Sequence, residues 1–270
     1  MRSAVTISLV PEARGGPFVY WDDLAAGCKA AAALGFDAVE VFPPGPDAVN
    51  PDELRTLLDD NGLLLAAVGT GAGWVKHKLS LTSSDDAVRD KAVAFVRSIM
   101  DLAAKFDAPA IIGSMQGRWG DGVTKPVALR YLGNALFKLD QHAADLGTTL
   151  LYEPINRYET NLINTLGDAA QLLTGAALQN VKILADLYHM NIEETNLADA
   201  LRIAGPLVWH VHFADSNRRA AGLGHTDFAS IIAALVEIGY TGFLSAEVLP
   251  LPDTDTAARQ TIDTFRKYAM

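Results

Sequence analysis

Short β-branched runs alternate with longer stretches of helical spacing from one end of the chain to the other, and the alternation never breaks. A strand that is followed each time by a helix returns parallel to its predecessor, so the pattern calls for βα units around a parallel sheet. The strands are expected at Val5–Leu9, Ala38–Phe42, Leu63–Val68, Ala110–Gly113, Thr149–Glu153, Lys182–Asp186, Val208–Phe213 and Phe243–Val248. The helices are expected at Trp21–Leu34, Pro51–Asn61, Asp85–Phe106, Pro126–Leu146, Gly167–Thr174, Asn196–Ala204, Phe228–Ile238 and Asp255–Tyr268. The third helix has the plainest signal: Val88, Ala92, Phe95, Val96, Ile99, Leu102, Ala103 and Phe106 recur every three or four residues. Ser83 or Ser84 can cap it, and Asp85 and Asp86 suit its positive end. LGFDAVEV, NGLLLAAV, LGTTLLYE and IGYTGFLSAEV each place a glycine just past a helix and then open a strand, which suits a left-handed turn between the two.

Spread over 270 residues, the units average about 34 residues each, in keeping with a (β/α)8 barrel of ~250 residues. The expected fold is therefore α/β, a single TIM barrel forming one domain over residues 1–270. A doubly wound open sheet is the alternative, but no G-x-G-x-x-G follows the first strand. A formal charge of −10 would repel a phosphate-rich polymer, so nucleic acid is not an expected partner. No apolar run approaches the roughly 18 residues that span a bilayer, and MRSAVTISLV lacks the basic-then-apolar order of a leader. Neither a membrane span nor a signal peptide is expected. Cys28, the single cysteine, cannot form an internal disulfide and reads as a small core residue, which suits a reducing, cytoplasmic location.

In a barrel the catalytic groups come from the C-terminal ends of the strands. Strand five ends in Glu153, strand six in Asp186, strand seven in His212 and strand eight in Glu247. Taken singly, each could be a capped or salt-bridged strand end. Together they would repel: at an effective dielectric of about 20, each carboxylate pair at ~4 Å costs on the order of 4 kcal/mol. One divalent cation removes that penalty, and a mostly oxygen donor set with one nitrogen suits Mn2+, Mg2+ or Co2+ better than a thiolate-rich zinc site, although zinc could also bind.

The segments EPINRYETNLINT, ADLYHMNIEE, HVHFADSNRRAAGLGHTDF and SAEVLP resemble the sugar isomerase and epimerase barrels of the xylose-isomerase-like superfamily, most of all the ketose 3-epimerases of the D-tagatose and D-psicose type. The likeness is dense in the C-terminal half and runs through the N-terminal half in outline, at LGFDAVEV and LTSSDDAVRDKAVAFVRSIMDLAAKF. It implies that Glu153, Asp186, His212 and Glu247 bind one divalent metal, most simply Mn2+, and that Glu153 and Glu247 are acid and base. It also implies that Glu159, His189 and Arg218 touch a small-molecule sugar, and that the protein is a homodimer or homotetramer. The segment GSMQGRWGDG after strand four departs from the usual epimerase loop, which leaves the sugar itself open.

A proton beside a ketone is a weak acid, and a metal chelating the ketone oxygen and a neighbouring hydroxyl stabilises the enediolate left by its removal. Glu153 and Glu247 lie three strands apart in a ring of eight, so they reach a sugar from different sides. Return of a proton to the opposite face of the same carbon is C3 epimerisation. Return to the neighbouring carbon is aldose–ketose isomerisation, as on a hydroxypyruvate-type substrate, and loss of a β-hydroxyl makes the same site a keto-polyol dehydratase or lyase. A sugar-binding barrel without catalysis is a further reading, and a phosphodiester-cleaving relative is disfavoured by few histidines and the negative charge.

The plainer readings are that His189 faces solvent from a loop, that Arg218 is a surface arginine beside Arg219, and that Glu159 only orients its neighbours. Trp74, after the glycine-rich end of strand three, is expected as a pocket wall, with a loop anchor as the alternative. The loop Gly113–Thr124 is no nucleotide P-loop; it is expected either to cover the substrate, with Trp119 as an apolar wall and Arg118 meeting an anionic group such as carboxylate or phosphate, or to be an ordinary long surface loop. His210 reads as a buried histidine with a satisfied hydrogen bond, His225 as a loop organiser, and His77 and His142 as surface residues.

Overall fold

In the computed structural model, which describes residues 1–269, strand β1 (Arg2–Ser8) pairs in parallel with β2 (Ala38–Phe42) on one side and with β8 (Phe243–Ala246) on the other. The second pairing closes the sheet. Between β2 and β8 the ring continues through β3 (Leu64–Gly69), β4 (Ala110–Ile112), β5 (Leu150–Tyr152), β6 (Val181–Asp186) and β7 (Val208–His212), each parallel to the next. Helices α1 (Leu24–Leu34), α2 (Pro51–Asn61), α3 (Asp86–Ala104), α4 (Lys125–Leu146), α5 (Leu166–Gly175), α6 (Leu197–Ala204), α7 (Phe228–Glu237) and α8 (Thr254–Tyr268) surround the strands. The fold is a single (β/α)8 barrel.

Local chemistry explains where the elements begin. α1 starts at Leu24 rather than Trp21 because Trp21 extends a two-residue strand, Tyr20–Trp21, that lies parallel to the end of β1. Asp23 then caps the helix by accepting from the Ala26 amide. The cap of α3 is Asp85, which accepts from the Ala87 amide, rather than Ser83 or Ser84; the Ser83 hydroxyl accepts from the Asp85 amide instead. Gly35, Gly62, Gly147 and Gly239 all take positive φ, from 64° to 81°, in the turns that end α1, α2, α4 and α7. Two short helices, Ala72–Val75 and Leu187–Glu193, were not foreseen.

Alternation along each strand sends one set of side chains to the helices and the other into the ring. At the end where the strands begin, Ala4, Ala38 and Ala66 pack with Phe243. Ala67, Ile111, Leu151 and Leu184 form a separate buried cluster. The other end of the interior is polar: Glu40, Glu153, Asp186, His210, His212 and Glu247 are all buried. Cys28 is fully buried, as expected of a small core residue. No described helix is long and apolar enough to cross a membrane.

Candidate active site

Four strand ends meet. Glu153, Asp186, His212 and Glu247 each offer one ligand atom, and these atoms lie within 4.8 Å of one another. His212 is central: its Nδ1 is 3.3 Å from Asp186 Oδ2 and 3.5 Å from both Glu153 Oε1 and Glu247 Oε2. Asp186 divides its work between two oxygens. Oδ1 caps the short helix Leu187–Glu193 by accepting from the Tyr188 and His189 amides, which leaves Oδ2 for the cluster.

His212 is held from behind. Its Nε2 is 3.0 Å from Glu40 Oε1, and Glu40 Oε2 is 2.7 Å from His210 Nε2. A buried carboxylate that can only accept fixes the proton of His212 on Nε2 and leaves Nδ1 toward the three carboxylates. His210 therefore has its satisfied hydrogen bond. Glu40 was missed: its signal was an acid between two valines, in a strand whose register faces it inward.

The charges are unbalanced without a cation. Burial, with Glu153 and Asp186 close by, pushes the Glu247 carboxyl up to about 8, although His212 and Arg218 pull it down. Burial opposes a charge on His212, yet Glu247, Glu40, Asp186 and Glu153 raise its pKa well above the ordinary value. Burial also works against ionised Asp186, but His189, His212 and Arg218 hold it below the usual carboxylate range. One further feature suits a coordinated Glu153: a Cβ on Gly113 would occupy the space of Glu153 Oε2, so the backbone there forms a cradle for that carboxylate. A hard donor set of three carboxylates and one imidazole, gathered and buried, fits one divalent cation.

Around this centre stand the other expected residues. His189 is buried rather than solvent-facing, with Nε2 3.8 Å from both Glu153 Oε1 and Asp186 Oδ2. The Asn156 amide N–H and its Nδ2 both point at His189 Nδ1, so Nδ1 accepts and Nε2 carries the proton into the cavity. Asn156 Nδ2 also donates to Glu159 Oε1. Arg218 donates to Glu247 Oε2 at 3.0 Å, reaches Glu159 Oε1 at 3.5 Å and stacks on Tyr188. Its φ of 59° is set by a loop organised by Asp215, which accepts from the amides of Ser216, Gly222 and Thr226. That role had been expected of His225, whose backbone amide donates to Ser216 Oγ.

A cavity of about 750 Å3 opens over the cluster, lined among others by Glu153, Glu159, His189, Arg218 and Glu247. Trp74 and Arg118 line it too. Trp119 does not: its indole Nε1 donates to the Asn161 carbonyl and its amide to Asn161 Oδ1, which turns the ring away. The apolar wall comes instead from Phe18, Phe42 and Ile111. His77 is exposed and bonded to the Pro44 carbonyl, and His142 is half-buried against Asp101.

A closed parallel barrel with buried carboxylates and an imidazole converging at the strands' C-terminal ends defines a class of barrel enzymes with a candidate metal site. The family model described as Xylose isomerase-like TIM barrel matches residues 28–268, and the chain belongs to that family. It is 35% identical over 242 residues to a D-psicose 3-epimerase of Agrobacterium fabrum, covering 87% of this chain and 79% of that protein. It is 32% identical over 226 residues to a 3-dehydro-D-guloside 4-epimerase of Escherichia coli, covering 79% and 82%. A solved structure of D-psicose 3-epimerase in the presence of D-fructose matches with a TM-score of 0.81 at 25% identity, over 99% of each chain. The chain is an enzyme of the isomerase class.

Proposed function

We propose that the chain epimerises a ketose at C3, with Glu153 and Glu247 as the proton-transferring pair and one divalent cation, Mn2+ first, at Glu153, Asp186, His212 and Glu247. The observation that carries this reading is the convergence of those four strand-end residues beneath one cavity. It is supported by relatives that are ketose 3-epimerases. A divalent ion held there supplies Lewis-acid polarisation of the ketone, which offsets the charge of the enediolate.

The residues do the rest. β5 and β8 stand three steps apart in the ring, so the carboxylates that follow them approach a sugar carbon from different sides. One, ionised, takes the C3 proton; the other, protonated, returns a proton to the opposite face, and the roles exchange in the reverse direction. His189 Nε2–H and the Arg218 guanidinium donate to sugar oxygens. Loss of one such donor commonly costs about 2.7–4 kcal/mol of transition-state stabilisation. Glu159 and Glu247 keep Arg218 extended toward the cavity.

The test is incubation of D-psicose, D-fructose, D-tagatose and L-ribulose in D2O with Mn2+, Mg2+ or Co2+ after chelator treatment. The expected result is interconversion of C3 epimers with solvent deuterium at C3, lost on chelation and in Glu247→Gln. Deuterium at C1 with an aldose product would make the enzyme an aldose–ketose isomerase, and loss of water would make it a dehydratase. Turnover that survives complete demetallation would refute the metal-assisted reading.

A further inference from the structure

The cavity is larger than its reactive end requires. Its volume of about 750 Å3 falls in the range of pockets for drug-sized ligands, roughly 300–1,000 Å3, and exceeds what one ketohexose fills beside Glu153, His189 and Glu247. The wall away from the strand-end cluster includes the loop after β1, whose acid Glu12 pairs with Lys76, and the loops that follow β3 and β4, with Lys78, Ser83, Ser84 and Arg118.

Two cations there lack acidic partners. Of the guanidiniums lining the cavity, Arg14 pairs with Asp22, and Arg218 with Glu247 and Glu159. Arg118 forms no ion pair or side-chain hydrogen bond with any described residue, in a chain where 32 acids outnumber 22 Lys and Arg. Its backbone, by contrast, is fastened on both sides. Thr82 Oγ1 donates to the Arg118 carbonyl at 3.2 Å, and Thr160 Oγ1 to the Gly117 carbonyl at 2.6 Å. Asn161 holds Trp119 through three hydrogen bonds of 2.9 to 3.0 Å. The backbone of Arg118 is thus anchored at the cavity wall, while its exposed guanidinium, without a protein partner, is available to a ligand there. Lys78 is similar: its Nζ donates to the Val75 carbonyl and lies over the Trp74 ring, and it pairs with no described acid. Asp121 lines the same cavity without pairing to either cation.

We propose that the part of the cavity beside Arg118 and Lys78 receives an anionic group, phosphate or carboxylate, carried by the ketose on the end of its chain away from C3. The inference rests on the epimerase reading and narrows its substrate class. Arg118 supplies a planar fork of donors matched to either oxyanion, and Lys78 a point charge.

The experiment compares kcat/KM of the Mn2+-loaded enzyme for three ketoses of equal chain length and configuration at C3: unsubstituted, with a terminal phosphate, and with a terminal carboxylate. At least one anionic substrate is expected to exceed the neutral one by about 10- to 100-fold, as a charge-assisted hydrogen bond allows. The better of the two identifies the anion. That preference should shrink in 0.5 M KCl, where the Debye length falls to about 4 Å, and should collapse toward unity in Arg118→Gln, with a smaller fall in Lys78→Gln. Thermal melts establish that both variants are folded. Equal turnover of all three substrates, or an anionic preference untouched by either substitution, overturns the inference while leaving C3 epimerisation standing. Absence of epimerisation with every ketose overturns the epimerase reading, and this inference with it.

Discussion

Gly113→Ala tests the geometry of one carboxylate. An alanine Cβ at residue 113 would lie well inside the contact shell of Glu153 Oε2 and 3.4 Å from Glu153 Cδ, with Ile155 also near. Ordinary contact begins near 3.4 Å, so Oε2 must retreat by about 1 Å for the methyl to fit. Gly113 has φ −114° and ψ −95°, outside the regions a residue with a Cβ ordinarily adopts, so a backbone penalty on the order of 1–3 kcal/mol adds to the displacement of the carboxylate. A displacement of about 1 Å at a reacting group costs on the order of 100-fold, or about 2.7 kcal/mol of transition-state stabilisation. The expected result is that kcat falls by about that factor and Mn2+ affinity weakens, while the apparent melting temperature of the chelator-treated protein falls by only the few degrees that the backbone penalty accounts for. Steady-state kinetics on an accepted ketose, Mn2+ titration by electron paramagnetic resonance and a thermal melt give the three readouts. A Gly113→Ala enzyme with kcat and Mn2+ affinity within threefold of the parent would refute the reasoning, because the carboxylate would then have space that the cradle denies it.

Two more outcomes follow from the same cluster. Glu40→Gln removes the negative charge behind His212 and leaves one acceptor oxygen for two histidines, so Mn2+ affinity should fall by about 10- to 100-fold, as for other groups that orient a metal ligand from behind; an unaltered dissociation constant would show that Glu40 serves folding alone. With the Glu247 carboxyl raised from 4.5 to about 8 and the His212 ring also raised, Mn2+ binding near pH 7 should expel protons, so affinity should climb as pH rises toward 8 and the calorimetric heat should vary with buffer ionisation enthalpy. The stability sign runs the other way: what Glu247 contributes to the metal-free fold is full below its unfolded pKa of 4.5 and fades as pH rises through about 8. A binding heat independent of buffer would contradict this.

The strands and helices were legible because each is a local pattern with its own punctuation, as at Gly35 or Asp227. The four ligand candidates were legible because each ends a strand, and barrel closure brings strand ends together wherever they fall in the chain. What escaped was pairwise and distant. Glu40 lies 170 residues before His210, and an acid between two valines shows which partners it meets only once the barrel has closed. Gly113 is one of 22 glycines, distinguished only by a carboxylate 40 residues on. Trp119 was misplaced because a tryptophan in a glycine-rich loop has no periodicity to aim it, and two hydrogen bonds to Asn161 decide its direction. His225 drew attention by its type, whereas Asp215, two acceptor oxygens inside a ring of amides, does the organising.

The supports of the cluster do not depend on a cation. Glu153 donates its amide to the Ile112 carbonyl and accepts from Gln116 Nε2 at its own carbonyl, Gln116 in turn accepts from Tyr152, and Asp186 is committed to a helix cap through one oxygen. Glu40 keeps the His212 ring in place from the opposite side. The ligand atoms are thus gathered by bonds made elsewhere, at the cost of bringing like charges together in a buried space. An ion binding only the folded barrel would offset that cost, stabilising the fold by about 2.7 kcal/mol when its concentration is 100 times the dissociation constant. A site built this way would gain stability from a bound cation without needing it for shape, since the orienting contacts and the repulsion reside in different atoms of the same side chains.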